Sequence, residues 1–261
     1  MKFLRFFADE DKPKTGYFDG EKVIELSDSI ENVLDNWESK EYIENQMVAS
    51  YSLDEIIFAP VSRPSKIICI GLNYKDHAKE LDMELPDEPI IFLKPPSSLI
   101  ACGEDIIYPT MSNEVDFEAE LAIVISKEGK NIDSVDAHEY IGGYTILNDV
   151  TARDIQRKDE QWTRAKSFDT FAPIGPFIET EMNPKNQNIS LTLNGEIRQN
   201  SNTKNMIFSS YELVEFVSQI MTLNPGDIIA TGTPPGVGMM EKGDTVEIAI
   251  EDIGVLKNRI I

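Results

Sequence analysis

The segment VDFEAELAIVI (115–125) carries an acid at three alternate positions. A strand turns successive side chains to opposite faces, so Asp116, Glu118 and Glu120 point together, away from Val115, Phe117, Ala119, Leu121 and Ile123. Ala122 and Val124 continue the acidic face as apolar positions, so the acids aim at a surface whose next positions read as buried. Two carboxylates about 6.5 Å apart repel by roughly 2–3 kcal/mol at an effective dielectric near 20. Without compensation one of them takes up a proton. A hard divalent cation relieves the repulsion, because Mg²⁺, Mn²⁺ and Ca²⁺ all take oxygen ligands. Asp149, which ends the strand-like run YTILND, is the candidate third ligand, since carboxylates at strand ends are well held for metal work. In so acidic a chain the same residues also read as the solvent face of a strand, and spacing alone leaves both readings open.

Basic and imidazole groups follow the same pattern of two readings. TARDIQRK (151–158) supplies Arg153 and Gln156 close to Asp149, and WTRAKSFDTFAP sets Lys166 among small and aromatic residues. Surface salt bridging is the commoner fate of such cations. Gln156 alone reads as a solvent-facing helix position. His77 in LNYKDHAKEL has Glu80 three residues on, which puts both on one face of a helical turn. A carboxylate on an imidazole fixes its tautomer and raises its basicity, as a water-activating base requires. The alternative is a surface pair worth a few tenths of a kcal/mol. The other histidine, His138 in SVDAHEYI, reads as surface on an amphipathic helix. Cys69 lies in the apolar run IICIG as a buried thiol, and nothing around Cys102 makes it a nucleophile.

The elements that must position these groups are mostly short strands. FLRFFA, TGYFDG and KVIEL read as strands around turns, and YIENQMVASYSLDEII as a helix or helix-loop. RPSK (63–66) reads as a linker into a buried strand, IICIGLNY. Many β-like runs follow, and Asn194-Gly195 is a strong hairpin signal because both turn positions tolerate positive φ. Helices are fewer: DHAKEL, VDAHEYI, ARDIQRK and SYELVEFVSQIM. The whole reads as α+β, dominated by mixed and antiparallel sheet. GTPPGVG (232–238) follows a strand but is broken by prolines and leads into no apolar helix, so it is no dinucleotide fingerprint. Taken locally it is a structural turn.

Composition narrows the function classes. With 41% hydrophobic and 8% aromatic residues over 261 positions, the chain can bury a sizeable core. A net charge of −22 disfavours nucleic acid and anionic membranes, and it requires concentrated positive charge wherever an acid is to bind. MKFLRFFA runs straight into Asp9, Glu10 and Asp11 without the apolar region and cleavage site of a signal peptide, and LAIVI is far too short for a span. A cytoplasmic location is expected.

Seven segments in one order, CIGLNYKDHAKEL, PIIFLKPPSSL, VDFEAELAIVI, GGYTILNDVTARDIQ, AKSFDTFAPIGP, LNGEIRQ and DIIATGTPPGVG, resemble the fumarylacetoacetate hydrolase family over roughly residues 63–261. The resemblance implies a β-rich mixed-sheet roll (61–261) with a small N-terminal α+β domain (1–60), a homodimer, and Mg²⁺ or Mn²⁺, Ca²⁺ being compatible with the same ligands. It implies metal ligation by Glu118, Glu120 and Asp149, and a water-activating His77–Glu80 dyad on a lid helix. An oxyanion-stabilising Lys166 follows, with Arg153, Gln156 and Thr233 contacting a small 2-oxo acid. DMELPDEP (82–89) is expected to be a flexible lid shaping the distal pocket. Acylpyruvates such as fumarylpyruvate, cleaved at a C–C bond through a pyruvate enolate, are the expected substrates. The same enolate would serve an isomerase of the 2-hydroxyhepta-2,4-diene-1,7-dioate type or an oxaloacetate-type decarboxylase. A non-catalytic metal- or ligand-binding protein is the reading from another class.

Overall fold

A computed structural model describes residues 1–8 and 12–261, so the acidic run Asp9–Asp11 lies outside the described residues. Among the described residues, twelve strands form one mixed sheet, with a five-stranded and a three-stranded sheet beside it. At the centre of the large sheet Ala119–Ile125 lies between Ile141–Asn148 and Ile228–Ala230, antiparallel to both. Ile67–Ile70 then runs parallel to Ile228–Ala230, and Ile91–Lys94 closes that edge. These inner strands are near-continuous apolar runs because both of their faces are covered. Leu121 and Ile123 enter a core shared with Leu191, Ile248 and Leu256 of the five-stranded sheet. Ala122 and Val124 enter the opposite core, against Ile30, Val33 and Leu34 of the Ile30–Asn36 helix.

Residues 1–60 supply strands Lys2–Phe7, Lys14–Phe18, Val23–Leu26, Met47–Tyr51 and Ile57–Ala59, which extend the large sheet through the pairing of Lys2 with Glu179. Asn194 (φ 53°) and Gly195 (φ 82°) make the expected hairpin turn between Asn188–Leu193 and Glu196–Asn202.

Three element expectations are corrected. YIENQMVASYSLDEII is α-helical only to Gln46; Met47–Tyr51 then pairs with Val23–Leu26, Tyr51 opposite Val23 and Ala49 opposite Glu25, because sheet pairing overrides the helical pattern, and a 3₁₀ turn follows at Leu53–Glu55. VDAHEYI is a single 3₁₀ turn, Ala137–Glu139, since the strand from Ile141 leaves no length to nucleate a helix. VDFEAELAIVI is two strands, Val115–Phe117 and Ala119–Ile125, broken at Glu118. The alternation of faces holds on both sides of the break.

Candidate active site and metal centre

The break at Glu118 is what brings the acids together. Val115–Phe117 pairs with Thr151–Ala152 in the small sheet, whereas Ala119–Ile125 pairs with Ile141–Asn148 in the large one. Asp116 therefore faces Thr151, Ala119 faces Asn148, and Glu118 meets Asp149 where both chains pass between sheets. The Asp149 N–H donates to the Glu118 carbonyl (2.9 Å), and the Glu118 N–H to Asn148 Oδ1 (3.0 Å). A separation of thirty-one residues is closed by hairpin register. One oxygen from each of Glu118, Glu120 and Asp149 lies within 4.8 Å of the others, and all three side chains are buried. Burial removes the solvent-face reading.

Cations surround the triad. Lys166, buried at the end of the short Thr163–Lys166 helix, donates to Glu118 Oε2 (2.8 Å) and Asp149 Oδ2 (2.6 Å). Arg153, which opens the Arg153–Lys158 helix, donates to Asp116 Oδ2 (2.8 Å), Glu118 Oε1 (2.5 Å) and Gln156 Oε1 (2.5 Å). Neither cation is an ordinary surface partner. Lys94 was not among the residues singled out from sequence, although it stands in the quoted motif PIIFLKPPSSL. Fully buried, it donates to Asp149 Oδ1 (2.5 Å) and the Val150 carbonyl (3.0 Å). A lysine inside an apolar strand was the available signal, since such a charge stays only where it is paired.

The electrostatics single out Glu120. Burial pushes the Glu118 carboxyl up, but Lys166 and Arg153 outweigh it and hold the group down to about 2. Lys166 and Arg153 are both disfavoured by burial, yet the carboxylates beside them hold them above their ordinary ranges. Glu120 is pushed well above the carboxylate range by burial and by the charges of Asp149 and Glu118. Its one hydrogen bond among the described residues comes from the Gly232 N–H (2.8 Å). Four carboxylates, Asp116, Glu118, Glu120 and Asp149, thus face three cationic side chains, and the unbalanced negative charge falls on Glu120. A buried all-oxygen donor set with surplus negative charge fits a hard divalent cation.

On the other side of the pocket stands the dyad. His77 Nδ1 lies 2.9 Å from Glu80 Oε2 on the Lys75–Glu80 helix, and the Gly236 N–H donates to both Glu80 oxygens (3.1 and 3.3 Å). His77, Glu118, Glu120, Arg153, Gln156, Lys166 and Thr233 all line one cavity of about 350 Å³. Leu81, Met83, Phe92 and Trp162 form its apolar wall. The Thr233 hydroxyl donates to the Ala119 carbonyl (2.9 Å) and accepts from Gln199 Nε2 (2.9 Å), so GTPPGVG is more than the local turn it reads as. His138 is exposed, as expected, and does not line this cavity.

Residues 66–261 match the C-terminal domain of fumarylacetoacetate (FAA) hydrolase. The chain belongs to the fumarylacetoacetate hydrolase family. It is 48% identical over 214 residues to a mitochondrial oxaloacetate tautomerase of Rattus norvegicus, covering 78% of this chain and 68% of that one. Its fold is similar to that of a 5-carboxymethyl-2-hydroxymuconate delta-isomerase from Mycobacterium smegmatis, with a TM-score of 0.89, 37% identity, and coverage of 100% and 99% of the two chains. It is also similar to a maleylpyruvate hydrolase from Sphingobium sp. SYK-6 determined with manganese(II) and pyruvate, with a TM-score of 0.84, 28% identity, and coverage of 100% and 99%. Enzymes of this family thus include tautomerases, isomerases and hydrolases. Among the described residues no helix is long and apolar enough to cross a membrane.

Proposed function

We propose that this protein is a metal-dependent enzyme that interconverts the keto and enol forms of a small 2-oxo diacid of the oxaloacetate type. The observation that carries this reading is one cavity lined both by Glu118 and Glu120, two members of the buried three-carboxylate cluster, and by a carboxylate-supported imidazole. The 48% identity to an oxaloacetate tautomerase favours proton transfer over the other family reactions.

Glu118, Glu120 and Asp149 would hold the cation, which when bound lends positive charge to the substrate oxygen that becomes negative. The chain's own groups do the rest. Arg153 and Lys166 supply the fixed positive charge that an anionic substrate needs in a molecule of net charge −22. Gln156 and Thr233 orient the acid. His77, held by Glu80, removes a proton from the carbon next to the ketone. The C–H electron pair becomes the C=C bond, the keto oxygen takes the negative charge, and protonation of that oxygen completes the enol. Lys166 stands as a preorganised cation for that charge, a kind of stabilisation typically worth about 3–4 kcal/mol.

A second reading, C–C hydrolysis of an acylpyruvate, is favoured by the similarity to maleylpyruvate hydrolase and by the apolar distal wall. There His77 would deprotonate a water that attacks the distal carbonyl; the C–C bond breaks, and its electron pair leaves as pyruvate enolate. A panel of 2-oxo acids, incubated with Mg²⁺ or Mn²⁺ and followed by ultraviolet absorbance and mass spectrometry, separates the readings. Faster ketonisation of enol-oxaloacetate supports the first, and release of pyruvate plus a second acid supports the hydrolase. No turnover of any member, with either metal, overturns both. Replacing His77 by alanine is expected to cut turnover by about 10²–10⁴-fold while leaving Mn²⁺ affinity unchanged.

A further inference from the structure

The Lys75–Glu80 helix is six residues long, too short to hold an orientation of its own, and its N-cap Tyr74 makes no side-chain capping bond. Side chains must therefore set the direction in which His77 points. Ahead of the helix, buried Asn73 donates to the carbonyls of Phe208 (3.1 Å) and Thr231 (2.7 Å) and accepts from the Phe208 N–H (2.8 Å). At its end, Glu80 is held by the Gly236 N–H. Between these two anchors lies Asp76, next to the imidazole but not lining the cavity. Its Oδ1 accepts from the His77 N–H (3.1 Å). Its Oδ2 accepts from Ser201 Oγ (2.6 Å) and Asn205 Nδ2 (3.1 Å), and Asn205 Nδ2 also reaches Ser201 Oγ (3.1 Å). Ser201 belongs to the Glu196–Asn202 strand and Asn205 to the 3₁₀ turn behind it, Thr203–Asn205.

We propose that Asp76 is a positioning residue for His77: its ties to Ser201 and Asn205 fix the rotation of the dyad helix. This inference rests on reading His77–Glu80 as the base. Asp76 and Glu80, four residues apart, lie on nearly the same side of the helix, about 40° apart around the axis. Holding both, one turn from each other, leaves His77, about 100° round from Asp76, a single direction, into the cavity. The carboxylate acts as a hydrogen-bond acceptor for three donors, and its charge is not what the arrangement requires.

The test compares wild type with Asp76→Ala, Asp76→Asn, Asn205→Ala, Asp76→Ala/Asn205→Ala and His77→Ala. It uses Mn²⁺-loaded protein and the ketonisation of enol-oxaloacetate, with hydrogen exchange of residues 75–81 and Mn²⁺ titration measured alongside. Asp76→Ala is expected to lower kcat by about 10- to 100-fold with KM within about twofold, as misplacement of a reacting group does. Exchange protection of 75–81 should fall about tenfold, with Mn²⁺ affinity unchanged, which distinguishes helix release from general unfolding. The double variant should cost no more than Asp76→Ala alone, because both changes break one anchor. Asp76→Asn, whose single amide oxygen can still accept from Ser201 and Asn205 while the His77 N–H loses its acceptor, should keep clearly more activity than Asp76→Ala. Equal losses in Asp76→Asn and Asp76→Ala would assign the effect to charge and overturn positioning. Unchanged exchange in Asp76→Ala overturns the inference whatever the kinetics. Full turnover by His77→Ala would overturn the reading of the dyad, and Asp76 with it. An inactive His77→Ala beside a fully active Asp76→Ala would overturn the Asp76 inference alone.

Discussion

Glu120 differs from the other two acids of its cluster. Glu118 and Asp149 each have ammonium or guanidinium partners, while Glu120 leans on a single backbone N–H. Its raised pKa means that the metal-free protein holds a proton there at pH values where an exposed glutamate would have lost it. A divalent ion must expel that proton, so apparent affinity for Mn²⁺ rises with pH and levels off once Glu120 ionises unaided. Calorimetric titration at one pH in buffers of different ionisation enthalpy should show a heat that changes with the buffer. Identical heats across buffers would mean that no proton leaves. Glu118, already ionised beside Lys166 and Arg153, contributes no such release at neutral pH. In the metal-free protein its depressed pKa is a source of stability above about pH 4.5, lost progressively as pH falls toward 2.

At the scale of elements, the loop after Ile228–Ala230 ties the two halves of the site together. Gly232 N–H reaches Glu120, the Thr233 hydroxyl reaches the Ala119 carbonyl, and Gly236 N–H reaches Glu80. Gly236 has φ +94°, and a Cβ there would lie 2.1 Å from the Arg198 carbonyl oxygen. Gly236→Ala is therefore expected to cost at least about 1–2 kcal/mol from the backbone conformation alone. It should also loosen Glu80 and lower turnover. Thermal unfolding should show a fall of several degrees in Tm, at roughly 2–4 °C per kcal/mol for a chain of this size. A variant with wild-type Tm and turnover would show that the loop yields freely at this point.

The whole molecule carries a charge of −22, which repels itself and gathers further acid at the site. Salt shortens the reach of that repulsion from about 10 Å at 0.1 M to about 3 Å at 1 M. Tm should rise between those concentrations of NaCl; a flat or falling Tm would mean that the surface ion pairs outweigh the repulsion. Binding of Mn²⁺ to the folded state alone should add about 2.7 kcal/mol at a hundred times its Kd. EDTA should accordingly lower Tm and abolish turnover, and Mn²⁺ or Mg²⁺ should restore both. A chelator-resistant enzyme would contradict a metal-dependent reaction.

Much of this is legible in the residues alone. The period-two alternation of 115–125 fixed which side chains share a face, because a strand allows no other arrangement. Asn194-Gly195 fixed a hairpin, and the order of seven motifs fixed the family. What no spacing could show was that Asp149 meets Glu118, since that depends on which strand pairs with which and in what register. Nor could it show the break at Glu118, where one run leaves one sheet for another. Lys94 stayed unread because a lysine's worth depends on the partner that burial gives it, and that partner, Asp149, lies 55 residues away. Local order follows from local chemistry, but convergence of distant charges is decided by tertiary pairing alone.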